Sequence, residues 1–274
     1  MSSTTTQTLS IVCDNSIKTS DNQYKLSIGN LASRSVQSIT LKSCNFKNIF
    51  YNVISSNSKL KNNTFHSHLD GVEENFDIPE GFYNINELLD AVSVGISSFF
   101  LTQPIPPTLV DLSYNSITGK VSIEVDDNGS AVIYEIRGLD KPNSINFLLG
   151  NTVNLALNSV SGSQTPSVFD SIVNLSGQQC VNLVCEQISK NSGAYASSSQ
   201  LNGNLNNSIR NIPVNAAFGN TIQYASFDTD ADSLNYSPSI NLSDLVFSIV
   251  DTATNTILDM SATTVCLELI LYFS

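Results

Sequence analysis

Residues 78–96, IPEGFYNINELLDAVSVGI, hold the one clear helical signal in a chain that otherwise reads as β-strands and Asn- and Ser-rich loops. Asn84 suits the N-cap, where a short side chain accepts from the unpaired amides of the first turn. Glu87, three residues later, completes a capping box. Ile85, Leu88, Leu89, Val92 and Ile96 recur at helical spacing and form one apolar stripe. Pro79 and Gly81 bend the chain ahead of the cap, and Phe82 and Tyr83 are placed to anchor the bend. A lone amphipathic helix among strands has no helical partner, so its stripe must cover the face or the open end of a sheet.

The rest of the chain supplies that sheet. Strands are expected over residues 7–13, 23–29, 35–42, 117–125, 130–136, 152–160, 168–175, 179–188, 209–214, 220–227, 245–251, 256–260 and 264–273. FHSHLDG and NFDIP flank a turn at Gly71 and make a hairpin leading into the helix. Asp127-Asn128-Gly129 is the strongest hairpin signal and is expected to join 117–125 to 130–136. NSINFLLG (143–150) reads as a short helical turn closed by Gly150. The last strand is apolar enough on both faces to be central and buried on both sides. Residues 103–111, with three prolines, form an irregular crossover, and 190–208 is a long Ser/Asn/Gly loop. Short strands at regular spacing make the chain all-β, a jelly-roll β-sandwich with one amphipathic helix and long loops or an insertion. Residues 1–7 read as a flexible arm, and 8–274 as a single domain with room for an insertion or decoration within 103–240.

Charge narrows the class further. Charged residues make up 13% of the chain, against roughly 25% in typical soluble domains. Broad surfaces that need not stay charged suit contact with neighbouring subunits or an extracellular binding module. The formal net charge is −12, with no basic run, which argues against direct nucleic-acid binding. Cys13, Cys44, Cys180, Cys185 and Cys266 show no CxxC spacing. They read as reduced thiols in a protein made in a reducing compartment. MSSTTTQTLS lacks the basic and apolar regions of a signal peptide, and no segment approaches the roughly 18 apolar residues of a membrane span.

Catalytic patterns are few. His66 and His68, two apart on a strand, would share a face and could begin a metal site, but nothing marks a third ligand. Asp228, Asp230 and Asp232 open like a calcium loop, yet Ser233 and Ser239 stand where that loop needs Gly and Glu. They are weak metal candidates, better read as an acidic, solvated loop. Asp126 and Asp127 fit hairpin-turn positions. Tyr195, in the 190–208 loop, is a candidate glycan platform in a chain without tryptophan. With no nucleophile elbow, phosphate loop, dinucleotide fingerprint or HExxH motif, the chain reads as a non-enzyme without a cofactor.

Three motifs, in order, resemble a known family. Phe50-Tyr51-Asn52 precedes I-P-x-G-x-Y-x-x-x-E-L, carried by Ile78, Pro79, Gly81, Tyr83, Glu87 and Leu88. A closing L-x-F-x-I-x-D-x-x-x-N-x-x-L-D pattern, from Leu245 to Asp259, then runs into the long final strand. The order resembles the minor capsid (penton) proteins of virophages and related Polinton-type DNA viruses, over about the first 100 and last 65 residues. The resemblance implies a single jelly roll in the virion, forming a homopentamer at the five-fold capsid vertices beside a double-jelly-roll major capsid protein. A jelly-roll attachment protein that recognises a receptor or glycan is the alternative.

Overall fold

The computed structural model describes residues 5–29, 34–56, 59–69, 71–100, 109–126, 133–139, 141, 143–158, 166–189, 208–227, 233–252 and 254–273. In chain order the elements are β1 (Thr5–Cys13), β2 (Tyr24–Ser27), β3 (Ser35–Lys47), β4 (Thr64–Leu69), β5 (Val72–Asp77) and α1 (Ile85–Phe100). There follow β6 (Leu109–Asn115), β7 (Lys120–Asp126), β8 (Ile133–Arg137), α2 (Ile145–Leu148), β9 (Asn154–Asn158), β10 (Ser167–Val168), β11 (Cys180–Cys185) and α3 (Glu186–Ser189). The chain closes with β12 (Ser208–Pro213), β13 (Thr221–Ala225), β14 (Ser233–Asn241), β15 (Asp244–Asp251) and β16 (Val265–Phe273).

The sequence leads one to expect a single domain over 8–274 with an insertion inside 103–240. The fold divides into two compact units: residues 1–49 with 178–274, and the continuous segment 50–177. Thr5, Thr6 and Gln7, expected within a flexible arm, instead pair with Phe273, Tyr272 and Leu271.

Unit one is the jelly roll. One sheet runs β1-β16-β3-β13, with β14 also on β3; the other runs β12-β11-β15-β2. The chain passes repeatedly between the sheets, so strands at opposite ends of the sequence lie side by side, as in a sandwich of two Greek keys. β13 and β14 share one position, pairing with the two halves of β3. β3 shows how sequence and packing are reconciled. Its buried residues Val36, Ile39, Leu41, Cys44 and Phe46 are not spaced by two throughout. Register shifts against β16 fall between Glu268 and Leu269 and between Tyr272 and Phe273. Each bulge absorbs one extra residue, so the apolar side chains return to the inner face.

β16 is central in its sheet, but only one of its faces is deeply buried. Val265, Leu267, Leu269, Leu271 and Phe273 point inward, while Cys266 is exposed and Glu268, Ile270 and Tyr272 are half-buried. Three further sequence readings change. The stretch 179–188 is a strand only to Cys185 and then turns into α3. The segment 256–260 contributes a single bridge, Ile257 to Val250. β14, which contains Pro238, gave no strand signal; its pairing shifts between Asn235 and Ile240, across that proline.

Unit two has its own core, two antiparallel sheets and the long helix. The sheets run β10-β7-β6 and β5-β4-β8-β9. Leu88, Leu89, Val92 and Ile96 of α1 are buried among Phe65, Ile78, Leu112, Val121, Ile123 and Ile136, with Ile85 packed at the margin. The stripe therefore covers sheet faces, as expected. Gly95 permits the approach: a Cβ there would lie 2.2 Å from the Phe76 ring. The hairpin at Gly71 (φ 81°) and the short α2, capped by Ser144 and followed by Gly150 (φ 87°), also match expectation.

The hairpin expected across 127–129 does not form. β7 pairs with β6 and β10, whereas β8 pairs with β4 and β9. β7's hairpin partner lies before it, through Asn115–Gly119, where Asn115 Oδ1 accepts from Ile117 and Thr118 and Gly119 takes φ 70°. Residues 127–129 themselves lie outside the described residues. Of the strand expected over 168–175, Val168 alone is in β10. The backbone beyond it bonds to Val121, Gly119, Gly150 and Leu148 without forming a regular strand.

Candidate functional site

The motif residues singled out in sequence meet in one node of unit two. Asn52 is buried. Its amide donates to the Tyr83 carbonyl (2.7 Å) and the Leu175 carbonyl (3.4 Å), and its Oδ1 accepts from the Tyr83 N–H (2.9 Å). Val53 and Gly81 exchange both backbone hydrogen bonds, at 3.1 and 3.0 Å. The Tyr83 hydroxyl donates to the Pro79 carbonyl (2.9 Å), and its ring lies where a Cβ on Gly81 would crowd it at 3.1 Å. Directly downstream the capping box closes: Asn84 Oδ1 accepts from the Glu87 N–H (3.0 Å) and Glu87 Oε2 from the Asn84 N–H (2.8 Å).

Two contributors carried no sequence signal. Glu80, at a variable motif position, accepts from the amides and hydroxyls of Ser55 and Ser56 at 2.8–3.1 Å. Burial raises its carboxyl pKa, but those four donors more than offset it and hold the group below the usual range. Gly177 (φ 61°) runs past Asn52, where a Cβ would lie 3.5 Å away. Asn52 thus clasps the first and last residues of unit two. The side chains of the node hold neighbouring backbone and, through Glu80, the Ser55 and Ser56 hydroxyls.

The other candidates separate. His66 and His68 do share the outer face of β4, opposite to the buried Phe65, Ser67 and Leu69. His68 sits in register between Glu73 of β5 and Glu135 of β8. Glu135 pairs with Arg137 (3.0 Å), and the His66 ring meets Asn75 (3.2 Å). Burial and then Lys141 lower the His66 pKa. Among the described residues no three His, Cys, Asp or Glu side chains converge to hold a metal ion. Asp228, Asp230, Asp232 and Tyr195 lie outside the described residues.

In unit one, the loops before and after the central strands tie one end of the jelly roll together. Lys18 donates to Asp259 (2.5 Å) and to the Ser261 hydroxyl, while the buried Tyr24 donates to the Met260 carbonyl (3.3 Å). The Lys18 and Ser261 bonds bring the Asp259 carboxyl down to about 2. Asn48 and Asn220 bond through their backbones (2.8 Å), and the Asn48 amide reaches Ala216 (2.7 Å). All five cysteines are free thiols. Burial, reinforced by Cys266 and Asp14, pushes the Cys13 thiol up to about 12, and burial also raises Cys44 strongly. Such thiols are small core hydrophobes, not nucleophiles. Among the described residues no helix is long and apolar enough to cross a membrane.

No protein-family model matches the chain, and no curated protein matches it in sequence. A solved structure does match in fold: the selenomethionine-labelled mavirus penton protein, with a TM-score of 0.54. The match covers 98% of this chain and 100% of that one, at 10% sequence identity. The fold is penton-like. At that identity the likeness concerns architecture, and it extends over both units rather than the jelly roll alone.

Proposed function

We propose that this chain is a structural capsid protein: a penton that forms homopentamers and closes the five-fold vertices of an icosahedral virion. The observation that carries the reading is the end-to-end match in fold to the mavirus penton protein. The jelly-roll strand order and the low charge support it. A ring of identical subunits needs one surface of each copy to meet a different surface of the next, and sparse charge lowers the desolvation cost of such contacts. A double-jelly-roll major capsid protein is the proposed neighbour, and neither catalysis nor a cofactor enters the role. A second reading, receptor attachment, is favoured by the separate core of unit two, which leaves that unit free to diverge without disturbing the jelly roll.

The test is to locate the chain in particles by cryo-electron microscopy. Five copies at each five-fold vertex are expected. Particles whose vertices hold a different protein would overturn the proposal. Purified protein mixed with capsomers of the major capsid protein should co-assemble.

A further inference from the structure

Unit two buries a carboxamide that no other group of the unit satisfies. Asn151, in the turn between α2 and β9, is fully buried, and neither its Nδ2 nor its Oδ1 meets a hydrogen-bonding group among the described residues. Two other buried asparagines of the unit show what such a side chain ordinarily does. Asn146 accepts from the His66 N–H (2.7 Å) and donates to the His66 carbonyl (2.8 Å). Asn52 likewise uses both ends of its amide at the clasp. An amide left unpaired in the interior loses more free energy than an ordinary hydrogen bond gains, so a buried polar group without a protein partner needs another one.

The surrounding backbone holds Asn151 in place. Its N–H donates to the Asn146 carbonyl (2.8 Å), the next N–H, of Thr152, donates to Asp170 Oδ1 (2.8 Å), and the Ser171 N–H donates to the Gly150 carbonyl (2.9 Å). Glycines let these lengths of chain come close. A Cβ on Gly138 would lie 2.2 Å from the Asn151 carbonyl oxygen, and one on Gly150 would lie 2.4 Å from the Ser171 carbonyl oxygen. In so crowded a place the partner of the amide has to be small. Its chemistry follows from the two atoms it must satisfy. A cation would leave the Nδ2 donor unmet, and an anion would leave the Oδ1 acceptor unmet. Water both donates and accepts, and it suits the amide whichever way its nitrogen and oxygen are turned. We infer that Asn151 binds an internal water molecule, which completes the junction of β8, α2 and residues 170–172. The site is independent of the vertex reading, so either can fail without the other.

The test uses the full chain. A crystal structure at a resolution that shows ordered solvent should place a water within about 2.7–3.2 Å of Asn151 Oδ1 or Nδ2. In solution, the Asn151 side-chain amide protons should show cross-relaxation with a long-lived water. Oxygen-17 relaxation dispersion, which counts such waters, should find one fewer in Asn151→Leu, a substitution close in volume that offers no polar atom. An ordered Asn151 bonded to protein groups alone would overturn the inference. Equal water counts in wild type and in folded Asn151→Leu would overturn it as well. Should Asn151→Leu fail to fold, the two measurements on wild type decide: solvent density and cross-relaxation at Asn151 uphold the site, and the lack of both overturns it.

Discussion

The two units solve the folding problem in opposite ways. The jelly roll is built from long-range pairing: β1 lies on β16 and β2 on β15, partners from opposite ends of the chain. Unit two is assembled from closer neighbours, β4 with β5 and β6 with β7, around a helix that caps itself. Charge divides the same way. Unit one has ten acidic and seven basic residues, a formal −3, against −9 in unit two. The unit with non-local topology is the nearly neutral one. The locally wired unit carries the charge and has a core of its own.

The strongest way to break this comparison is Leu88→Ala. Leu88 is fully buried in the core of unit two, and its truncation should cost about 3 kcal/mol through lost burial and the cavity left behind. Hydrogen exchange should show the loss of protection confined to residues 50–177, with β16 and β3 unchanged. Equal loss in both units would mean that the cores are not separate. Asn52→Ala comes next, at about 2 kcal/mol, because it strands the buried amide and carbonyl groups that Asn52 now satisfies. Proteolysis should then cut near 50–55 or 175–178 before it cuts inside either unit.

The smallest effect belongs to unit one. With its carboxyl pKa lowered to about 2, Asp259 stabilises the fold above its ordinary value near 4, and this is lost as pH falls from about 4 to 2. The carboxylate is well exposed, so Asp259→Asn should cost only about 0.5 kcal/mol at neutral pH. The difference from wild type should shrink along the acid limb of a pH titration followed by thermal melts.

What was legible in the sequence follows the same division. The capping box, the helical stripe and the Gly71 hairpin depend on residues a few positions apart, and all three stand in the structure. Asp127-Asn128-Gly129 misled because turn propensity is local, whereas β7 is claimed by β6 and β10 through burial of its inner face. β14 was hidden by Pro238, which is tolerated because, among the described residues, that strand pairs with β3 alone and its register shifts across the proline. The helix motif pointed to a capsid jelly roll, yet it belongs to the other unit and contributes nothing to the jelly-roll sheets. The Asn52 node was half legible: the motifs named its residues, but Glu80 enters through its carboxylate and Leu175 through its carbonyl, and no pattern records either.

The clasp at Asn52 bears on how such a chain can vary. Because Asn52 meets Leu175 and Gly177, the segment 50–177 leaves and re-enters at nearly one point. To the β3–β11 connection, a folded segment with touching ends is equivalent to a tight turn, and its length adds little closure entropy. Such a cassette can grow, shrink or be exchanged while the strand order around it stays fixed.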